Sequence, residues 1–297
     1  MSISRLSFGG GIIFCFHEIE LKKFVSIIKF FKKFYSLISL DDFINCLNTN
    51  KSVSGKFAIT FDDGWNETCI NVAAYSKDNK WPITLYIPTQ ILDDRGSLWF
   101  GYINKLINLK NKESKPFKFM GIDLNFQSKN ASKESVEKLV VRFKKMPGEH
   151  AYDEMKDLLE KLDLKPSVNE QFPFINIDFI KKYSDCKYIT FGSHTVDHRA
   201  LNVQSEKELI WNLSKSKKIL HDITQKDIDH FCYPYGGEND ISNLSREITS
   251  KYYKSGTTML RGKCDKKSDP YYLPRISIYQ KDSIPRIFAK ILSSTMQ

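Results

Sequence analysis

The stretch FAITFDDGW at residues 57–65 constrains the fold more than any other part of this sequence. Its apolar residues alternate with smaller or polar ones up to position 61, and this period-two pattern predicts a β-strand. The strand ends at two adjacent carboxylates, Asp62 and Asp63. Because neighbouring side chains of a strand point in opposite directions, one carboxylate could bind a metal while the other stays free as a base. Asp and Gly also form ordinary turns, so the motif alone leaves both interpretations open.

Short apolar runs on both sides of this stretch predict further strands. They cover residues 11–16, 36–40, 81–88, 188–192, 228–233, 252–259 and 271–279. Segments with helical spacing lie between them, at residues 21–34, 67–77 and 206–221. Strands that alternate with helices form βαβ units, so we expect an α/β fold with a parallel sheet.

Residues 98–182 differ from the rest of the chain. This part is rich in Lys and Glu and has mostly helical patterning. It predicts two or three helices inserted between sheet elements, with a poorly structured piece near residues 110–133. The insertion could have no functional role, or it could be a cap that shapes access of a substrate. We expect residues 1–297 to form a single domain that carries this insertion.

The charge composition argues against a nucleic-acid-binding protein. The net charge is +10, but 27% of the residues are charged and both signs are mixed along the chain. No block of Lys and Arg is dense enough for a nucleic-acid-binding arm, and no zinc-finger spacing occurs. Residues 21–34 predict a basic amphipathic helix, which packs on a core in most proteins but can also lie on a membrane surface. Peripheral membrane association therefore stays open.

The cysteines and the apolar runs indicate a cytoplasmic protein. No two cysteines form a C-x-x-C pair, and their scatter is typical of reduced, buried thiols in a reducing compartment. No apolar run reaches the ~18 residues that a membrane-spanning helix needs. Residues 9–16 faintly resemble a signal peptide but lack a small-residue cleavage site. The six cysteines are Cys15, Cys46, Cys69, Cys186, Cys232 and Cys264.

Reactive or turn-forming residues follow four of the predicted strands. His17 follows the first strand, DDG follows the strand at residues 57–61, and SHTVDH and YPYGG follow two later strands, at residues 193–198 and 233–237. In parallel α/β barrels the active site gathers at the carboxyl ends of the strands. Turn formation alone does not explain this pattern, because histidines are not turn formers. The pattern therefore predicts an enzyme.

Within SHTVDH, His194 and His198 have the i, i+4 spacing that places two imidazoles on one side of a turn or short helix. A carboxylate from another strand end would complete a set of two His and one Asp. Catalytic zinc sites use such sets and leave an open position for water or substrate. The sequence therefore predicts a catalytic metal site.

The motifs TFDDG, SHTVDH and YPYGG, in this order, resemble those of the polysaccharide deacetylase family (NodB-homology domain, carbohydrate esterase family 4). The matching elements run from about Ile12 to Ile278 and are interrupted by the helical insertion. The resemblance implies a distorted, incomplete (β/α) barrel. It also implies removal of N-acetyl groups, and sometimes O-acetyl groups, from sugars with the help of a divalent metal.

The resemblance also assigns roles to individual residues. The first aspartate of TFDDG, here Asp62, is the general base of the family, and the second, Asp63, is a metal ligand. Both histidines of the second motif are metal ligands. In the third motif a backbone N–H, that of Tyr235 beside Pro234, is expected to hold the oxyanion. The metal set implied for this chain is Asp63, His194 and His198.

Two positions depart from the family pattern. Many members have an arginine in the third motif that orients the base, and here Cys232 stands near that position. Arg275, on a late predicted strand, could supply the guanidinium instead, or it could be an ordinary surface arginine. Many members also have a late Leu-x-His motif that provides the general acid, but no histidine follows His230.

A branch of the family that includes poly-N-acetylglucosamine deacetylases has a histidine at the end of the first strand. His17 resembles that arrangement and is our candidate to protonate the leaving amine, since the pKa of histidine suits this task. The alternative is a structural histidine in a polar first turn. The remaining histidines are interpreted as surface or packing residues: His150, His221 and His230.

These patterns lead to an expected function. We expect a metal-dependent hydrolase that removes an N-acetyl group from an amino sugar and releases acetate. The substrate would be a nucleotide-linked or lipid-linked sugar used in surface polysaccharide biosynthesis. Zinc is the default metal, with cobalt, nickel or manganese as alternatives. Rival functions are a deformylase, a cyclic-amide hydrolase on the same scaffold and a non-catalytic glycan-binding protein.

Overall fold

The computed structural model of the protein describes residues 9–93, 98–109, 115–165 and 173–294. These residues form two compact units. The larger unit contains the chain up to residue 89, residues 175–196 and the chain from residue 200 onward. The smaller unit contains residues 90–174 and residues 197–199.

The strands and helices alternate along most of the chain. The strands are β1 (Ile12–Phe16), β2 (Ser36–Leu37), β3 (Lys56–Phe61), β4 (Ile83–Ile87), β5 (Phe117–Phe119), β6 (Ile122–Leu124), β7 (Ile189–Ser193), β8 (His230–Cys232), β9 (Ser255–Arg261) and β10 (Leu273–Ser277). The α-helices of the described ranges are α1 (Leu21–Phe31), α2 (Leu40–Asn48), α3 (Asn66–Asn79), α4 (Ile103–Ile107), α5 (Lys129–Phe143), α6 (Gly148–Lys161), α7 (Ile177–Tyr183), α8 (Glu206–Thr224), α9 (Asn243–Tyr252) and α10 (Ile284–Leu292).

Seven parallel strands close a barrel in the larger unit. Their order is β1, β10, β9, β8, β7, β4 and β3, and β3 pairs back with β1. The short β2 pairs with the first residues of β3. A complete barrel of this class has eight strands, so the predicted α/β fold, a distorted, incomplete (β/α) barrel, is confirmed. Because all seven strands are parallel, their carboxyl ends meet at one end of the barrel.

Aromatic packing ties the first helix to the barrel. Phe16 of β1 stacks on Phe61 of β3 with 5.1 Å between ring centroids. Phe24 of α1 contacts both rings at 5.5 and 5.4 Å, and all three side chains are buried. Burying a phenylalanine contributes about 1.5–3 kcal/mol, and truncating one to alanine costs about 3–5 kcal/mol. This cluster therefore fixes the strand ends from which His17 and Asp62 extend.

The smaller unit contains the helices that the sequence predicts, together with a hairpin that it does not. The predicted poorly structured piece near residues 110–133 is wrong where the structure describes it, because β5 and β6 pair as an antiparallel hairpin and α5 begins at Lys129. Met120 and Gly121 form its turn, both with positive φ, as a two-residue hairpin turn requires. Residues 110–114 lie outside the described residues.

The boundary of the predicted insertion, about 98–182, remains a prediction, as does the single domain over 1–297. The smaller compact unit stops at residue 174, so α7 groups with the barrel strands. Within the described ranges, no helix is long and apolar enough to cross a membrane.

Candidate active site

The carboxyl ends of four strands deliver the reactive residues. His17 follows β1, Asp62 follows β3 and His194 follows β7. The backbone N–H of Asp62 donates to the carbonyl of Phe16 at 2.9 Å, which continues the ladder between β1 and β3 past the strand ends. The YPYGG segment follows β8 at the same end.

Asp62 is held by Arg275 in a bidentate pair. Nη1 and Nη2 of the guanidinium lie 2.8 and 2.7 Å from Oδ1 and Oδ2 of the carboxylate. Arg275 is 0% exposed and Asp62 is 2% exposed, so Arg275 is not a surface arginine. Its Nη1 also donates to Thr60 Oγ1 at 3.0 Å, and its Nε donates to the carbonyl of Thr258 at 2.7 Å. The guanidinium is thus fixed from several sides.

The pair remains ionised because each partner offsets the burial of the other. Burial alone would raise the pKa of Asp62, but the Arg275 guanidinium outweighs it and lowers the pKa to about 2. Burial likewise opposes the charge of Arg275, and Asp62 outweighs that effect and raises the pKa of the guanidinium. Asp62 is therefore a carboxylate throughout the neutral range.

Asp63 faces a different partner. Its Oδ1 lies 3.5 Å from Nε2 of His194, and its Oδ2 accepts from Nε1 of Trp65 at 3.2 Å. The Nδ1 of His194 lies 2.7 Å from the carbonyl of Cys232, which can only accept, so Nδ1 carries a proton. In the neutral ring the lone pair then belongs to Nε2, on the side of Asp63. A backbone partner of this kind is the usual way to orient a metal-binding histidine.

His198 lies four residues after His194 and is 6% exposed. Its ring packs on Phe100 with 4.7 Å between centroids. Its φ of 55° is positive, as are the φ values of Asp63 (72°) and Tyr235 (60°). Non-glycine residues in this region of backbone space are strained, and such residues cluster at functional sites.

The donor atoms available for a metal form overlapping sets. Among the described residues of the larger unit, two sets of side chains offer donor atoms within 4.8 Å of one another: Cys15, His17 and Asp62; and Asp62, His194 and Cys232. Asp63 and His194 add a carboxylate and an imidazole that face each other, and these are donor types of catalytic zinc sites. Their donor chemistry therefore fits a divalent cation.

His17 lies beside both aspartates. Its Nε2 is 3.9 Å from Oδ2 of Asp62 and 3.9 Å from Oδ2 of Asp63, and its side chain is 32% exposed. A partly exposed imidazole therefore lies next to two buried carboxylates. The structure thus brings His17 to the candidate site.

Pro234 and Tyr235 form a tight turn after β8. The N–H of Gly236 donates to the carbonyl of Pro234 at 2.7 Å, and Gly236 has φ +58°. A Cβ at Gly236 would lie 2.6 Å from the backbone nitrogen of Met259, so only glycine fits there. The turn is therefore pressed against β9.

Two sulfur side chains near Asp62 were missed by the sequence analysis. The Sγ of Cys15 lies 3.5 Å from Asp62 Oδ2, and the Sδ of Met259 lies 3.2 Å from Arg275 Nη2. Cys232 also contacts both partners, with Sγ 3.1 Å from Arg275 Nη2 and 3.5 Å from Asp62 Oδ2. Cys15 carries one signal in the sequence, because it lies two residues before His17 near the end of the first strand.

The remaining histidines lie away from these contacts. His230 is buried, with Nε2 2.9 Å from Asp41 Oδ1 and Nδ1 2.8 Å from Ser255 Oγ, as a packing residue would be. His150 and His221 are exposed.

Comparison with known proteins points to one family. The family model described as polysaccharide deacetylase matches residues 132–253, which include SHTVDH and YPYGG but not the DDG strand. No curated protein matches the sequence.

Solved structures with a similar fold carry related names. They include IcaB from Ammonifex degensii (12% identity, 96% of this chain and 97% of that chain, TM-score 0.60) and a polysaccharide deacetylase from Bacillus cereus (16%, 95% and 69%, 0.59). The deacetylase PplD of Streptococcus pyogenes, solved in complex with acetate, is similar too (13%, 95% and 97%, 0.57). At these identities the likeness concerns the fold alone. The family model therefore confirms the resemblance to polysaccharide deacetylases over residues 132–253, and the solved structures show a shared fold.

Proposed function

We propose that this protein is a metal-dependent hydrolase that removes an N-acetyl group from an amino sugar and releases acetate. One observation carries the proposal: the adjacent carboxylates Asp62 and Asp63 have different partners. Asp62 is held by Arg275, whereas Asp63 faces His194. This division is what a hydrolase needs when one carboxylate acts as a base and its neighbour binds a cation.

Asp63, His194 and His198 would hold the cation. Their donor types and the contact between Asp63 and His194 support this assignment. When bound, a divalent cation would polarise the acetyl carbonyl and lower the pKa of an attacking water. Zinc is the default for two His and one carboxylate, and cobalt, nickel or manganese could replace it.

Asp62 would take the proton of the attacking water. Its pKa of about 2 keeps it ionised at neutral pH but also makes it a weak base. Its contribution would therefore rest on position, and Arg275 supplies that position by fixing both oxygens. Arg275 is thus proposed as the residue that orients the base.

His17 would protonate the leaving amine. Its Nε2 is near both carboxylates and its ring reaches solvent, so it can be reprotonated after each turnover. The backbone N–H of Tyr235, in the turn that begins at Pro234, is proposed to hold the oxyanion. The rigid packing of this turn on β9 supports a fixed donor.

The substrate is proposed to be a nucleotide-linked or lipid-linked amino sugar of surface polysaccharide biosynthesis. This choice rests on the expected cytoplasmic location, in which peripheral membrane association would give access to lipid-linked sugars. The acetate in the structure of the Streptococcus pyogenes deacetylase is the product that such a reaction would release.

Mass spectrometry of acetylated nucleotide-sugars and lipid-linked sugars, incubated with zinc-loaded protein, tests the proposal. We expect one substrate class to lose one acetyl group and to release acetate. Release of formate would favour a deformylase, and ring opening without an acid product would favour a cyclic-amide hydrolase. Glycan binding without turnover would indicate a non-catalytic protein. Asp62→Asn should keep its zinc and lose turnover, and full activity in that variant would remove Asp62 as the base.

A further inference from the structure

A group of soft donor atoms lies beside Asp62, apart from the set proposed for the catalytic cation. The Sγ of Cys15 is 3.5 Å from Asp62 Oδ2, 3.7 Å from the Sδ of Met259 and 3.9 Å from Nδ1 of His17. We call these four side chains the sulfur set. Neither sulfur atom has a role in the proposed reaction.

We propose that the sulfur set is a second cation site that selects thiophilic cations. Zinc is one such cation, and it would occupy this site when it is present in excess over the first site. Ligand atoms of tetrahedral zinc lie about 2.0–2.3 Å from the metal, which places them roughly 3.3–3.8 Å from one another. The distances of 3.5, 3.7 and 3.9 Å around Cys15 are close to that range. Cys15, His17 and Asp62 each offer one donor atom within 4.8 Å of the other two, and Met259 adds a thioether next to Cys15.

The donor types determine which cations this site selects. Thiolate and thioether sulfur prefer zinc, cadmium and copper(I), and they discriminate against magnesium and calcium. The catalytic set of Asp63, His194 and His198 contains no sulfur. The two sites would therefore give different optical spectra with the same metal.

Charge makes the second site the weaker one. The Nη2 of Arg275 lies 3.2 Å from Met259 Sδ, so its positive charge opposes a cation there, as would a cation already bound at Asp63. Cys15 and Asp62 are buried, whereas His17 and Met259 are partly exposed, so the cation would enter past these two side chains. The thiol proton of Cys15 leaves to solvent as the sulfur–metal bond forms.

Occupation of the sulfur set has a consequence that rests on the proposed function. It engages Asp62 and His17, the proposed base and acid, in metal ligation. A second equivalent of zinc would then stop turnover that the first equivalent supports. Binding itself does not depend on the reaction, so it can be tested separately.

Titration of the metal-free full chain with Co²⁺, without substrate, tests the site. We expect the first equivalent to bind without a thiolate-to-cobalt charge-transfer band and the second to produce that band. Cys15→Ala and the size-matched Cys15→Ser should still bind the first equivalent of Co²⁺ but should not show the band. Met259→Leu should weaken binding of the second equivalent of Co²⁺ at least about tenfold. Cys264→Ala, which removes a buried thiol elsewhere in the barrel, should change neither equivalent.

Several results would overturn the proposal. One is the absence of a thiolate band at any cobalt concentration, and another is a band that persists in both Cys15 variants. A band lost in Cys232→Ala but kept in Cys15→Ala would place the cation on Asp62, His194 and Cys232 instead. A protein that shows the band but deacetylates no sugar would keep this site and remove the proposed function.

Discussion

Arg275 and Asp62 join two strands that do not pair with each other. Arg275 is on β10 and Asp62 follows β3, and β1 lies between them in the barrel. Both parallel contacts are short, at 2.8 and 2.7 Å, and neither side chain reaches solvent to more than 2%. The base of the proposed reaction is therefore held by an ion pair across the barrel interior.

Loss of the guanidinium should destabilise the protein strongly. Arg275→Met leaves Asp62 as an uncompensated buried charge, and breaking a buried pair in this way costs about 3–5 kcal/mol. Urea unfolding of the metal-free protein measures the change in the free energy of unfolding. Arg246→Met is the matched control, since its pair with Asp269 is partly exposed and should contribute at most about 1 kcal/mol.

The double variant Asp62→Leu/Arg275→Met separates the cost of a lone charge from the worth of the pair. Because it leaves no buried charge, it should be more stable than Arg275→Met alone. The comparison also needs Asp62→Leu alone. If the free-energy changes of the two single variants add up to that of the double variant, the pair does not act as a unit and this interpretation is wrong.

The barrel and the different partners of the two aspartates could be predicted because both depend on local pattern. Each of the eight predicted strand runs overlaps an observed strand of the barrel sheet. The pleat of β3 suggested that Asp62 and Asp63 would face different partners, and the structure places Arg275 beside one and His194 beside the other.

The remaining features depend on contacts between distant segments. Cys15 and Met259 are 244 positions apart, and only the closure of the barrel brings their sulfur atoms to 3.7 Å. The hairpin of β5 and β6 has strands of three residues, shorter than the runs from which strands are usually recognised. Its only signals were the alternation in FKF and IDL and the glycine at position 121.

Removal of a proposed ligand should reduce the affinity for zinc. We expect Asp63→Asn and His194→Gln each to weaken zinc binding more than about 100-fold, because changes to outer-shell partners alone cost about 10–100-fold. Competition with a chromophoric chelator measures the affinity. His150→Gln, at an exposed position, should bind zinc as the unaltered protein does. Unchanged affinity in the Asp63 variant would place the cation elsewhere.

The effect of replacing His17 on the rate of hydrolysis should depend on the leaving group of the substrate. A general acid contributes about 10²–10⁴-fold when the leaving amine must be protonated, and much less when the leaving group departs without a proton. His17→Gln should therefore slow hydrolysis of an acetamido sugar by about that factor. It should change hydrolysis of an activated aryl acetate less than about tenfold. Equal losses on both substrates would indicate a structural histidine instead.

Asp282, which lies two residues before α10, should make the free energy of unfolding depend on pH. Its Oδ2 accepts from Lys290 Nζ at 2.5 Å and from the N–H of Tyr279 at 2.9 Å, and the side chain is 0% exposed. Burial raises the pKa of Asp282, but the hydrogen bond from Lys290 and the further contacts outweigh it and hold the pKa below its usual range. The usual pKa of an aspartate is ~4. The stabilisation from this carboxylate is therefore fully present at pH values above that pKa, and it is lost as the pH falls through the lowered pKa.

Asp282→Asn should lower the free energy of unfolding by about 1–3 kcal/mol at neutral pH, the range for hydrogen bonds to charged groups. The difference from the unaltered protein should shrink as the pH falls below about 4, because the wild-type carboxyl then becomes protonated too. Urea unfolding at a series of pH values measures both effects. Asp123→Asn, an exposed carboxyl in the hairpin, should leave the free energy within about 0.5 kcal/mol at every pH. A difference that grows with falling pH would mean that Lys290 does not stabilise the charged form of Asp282.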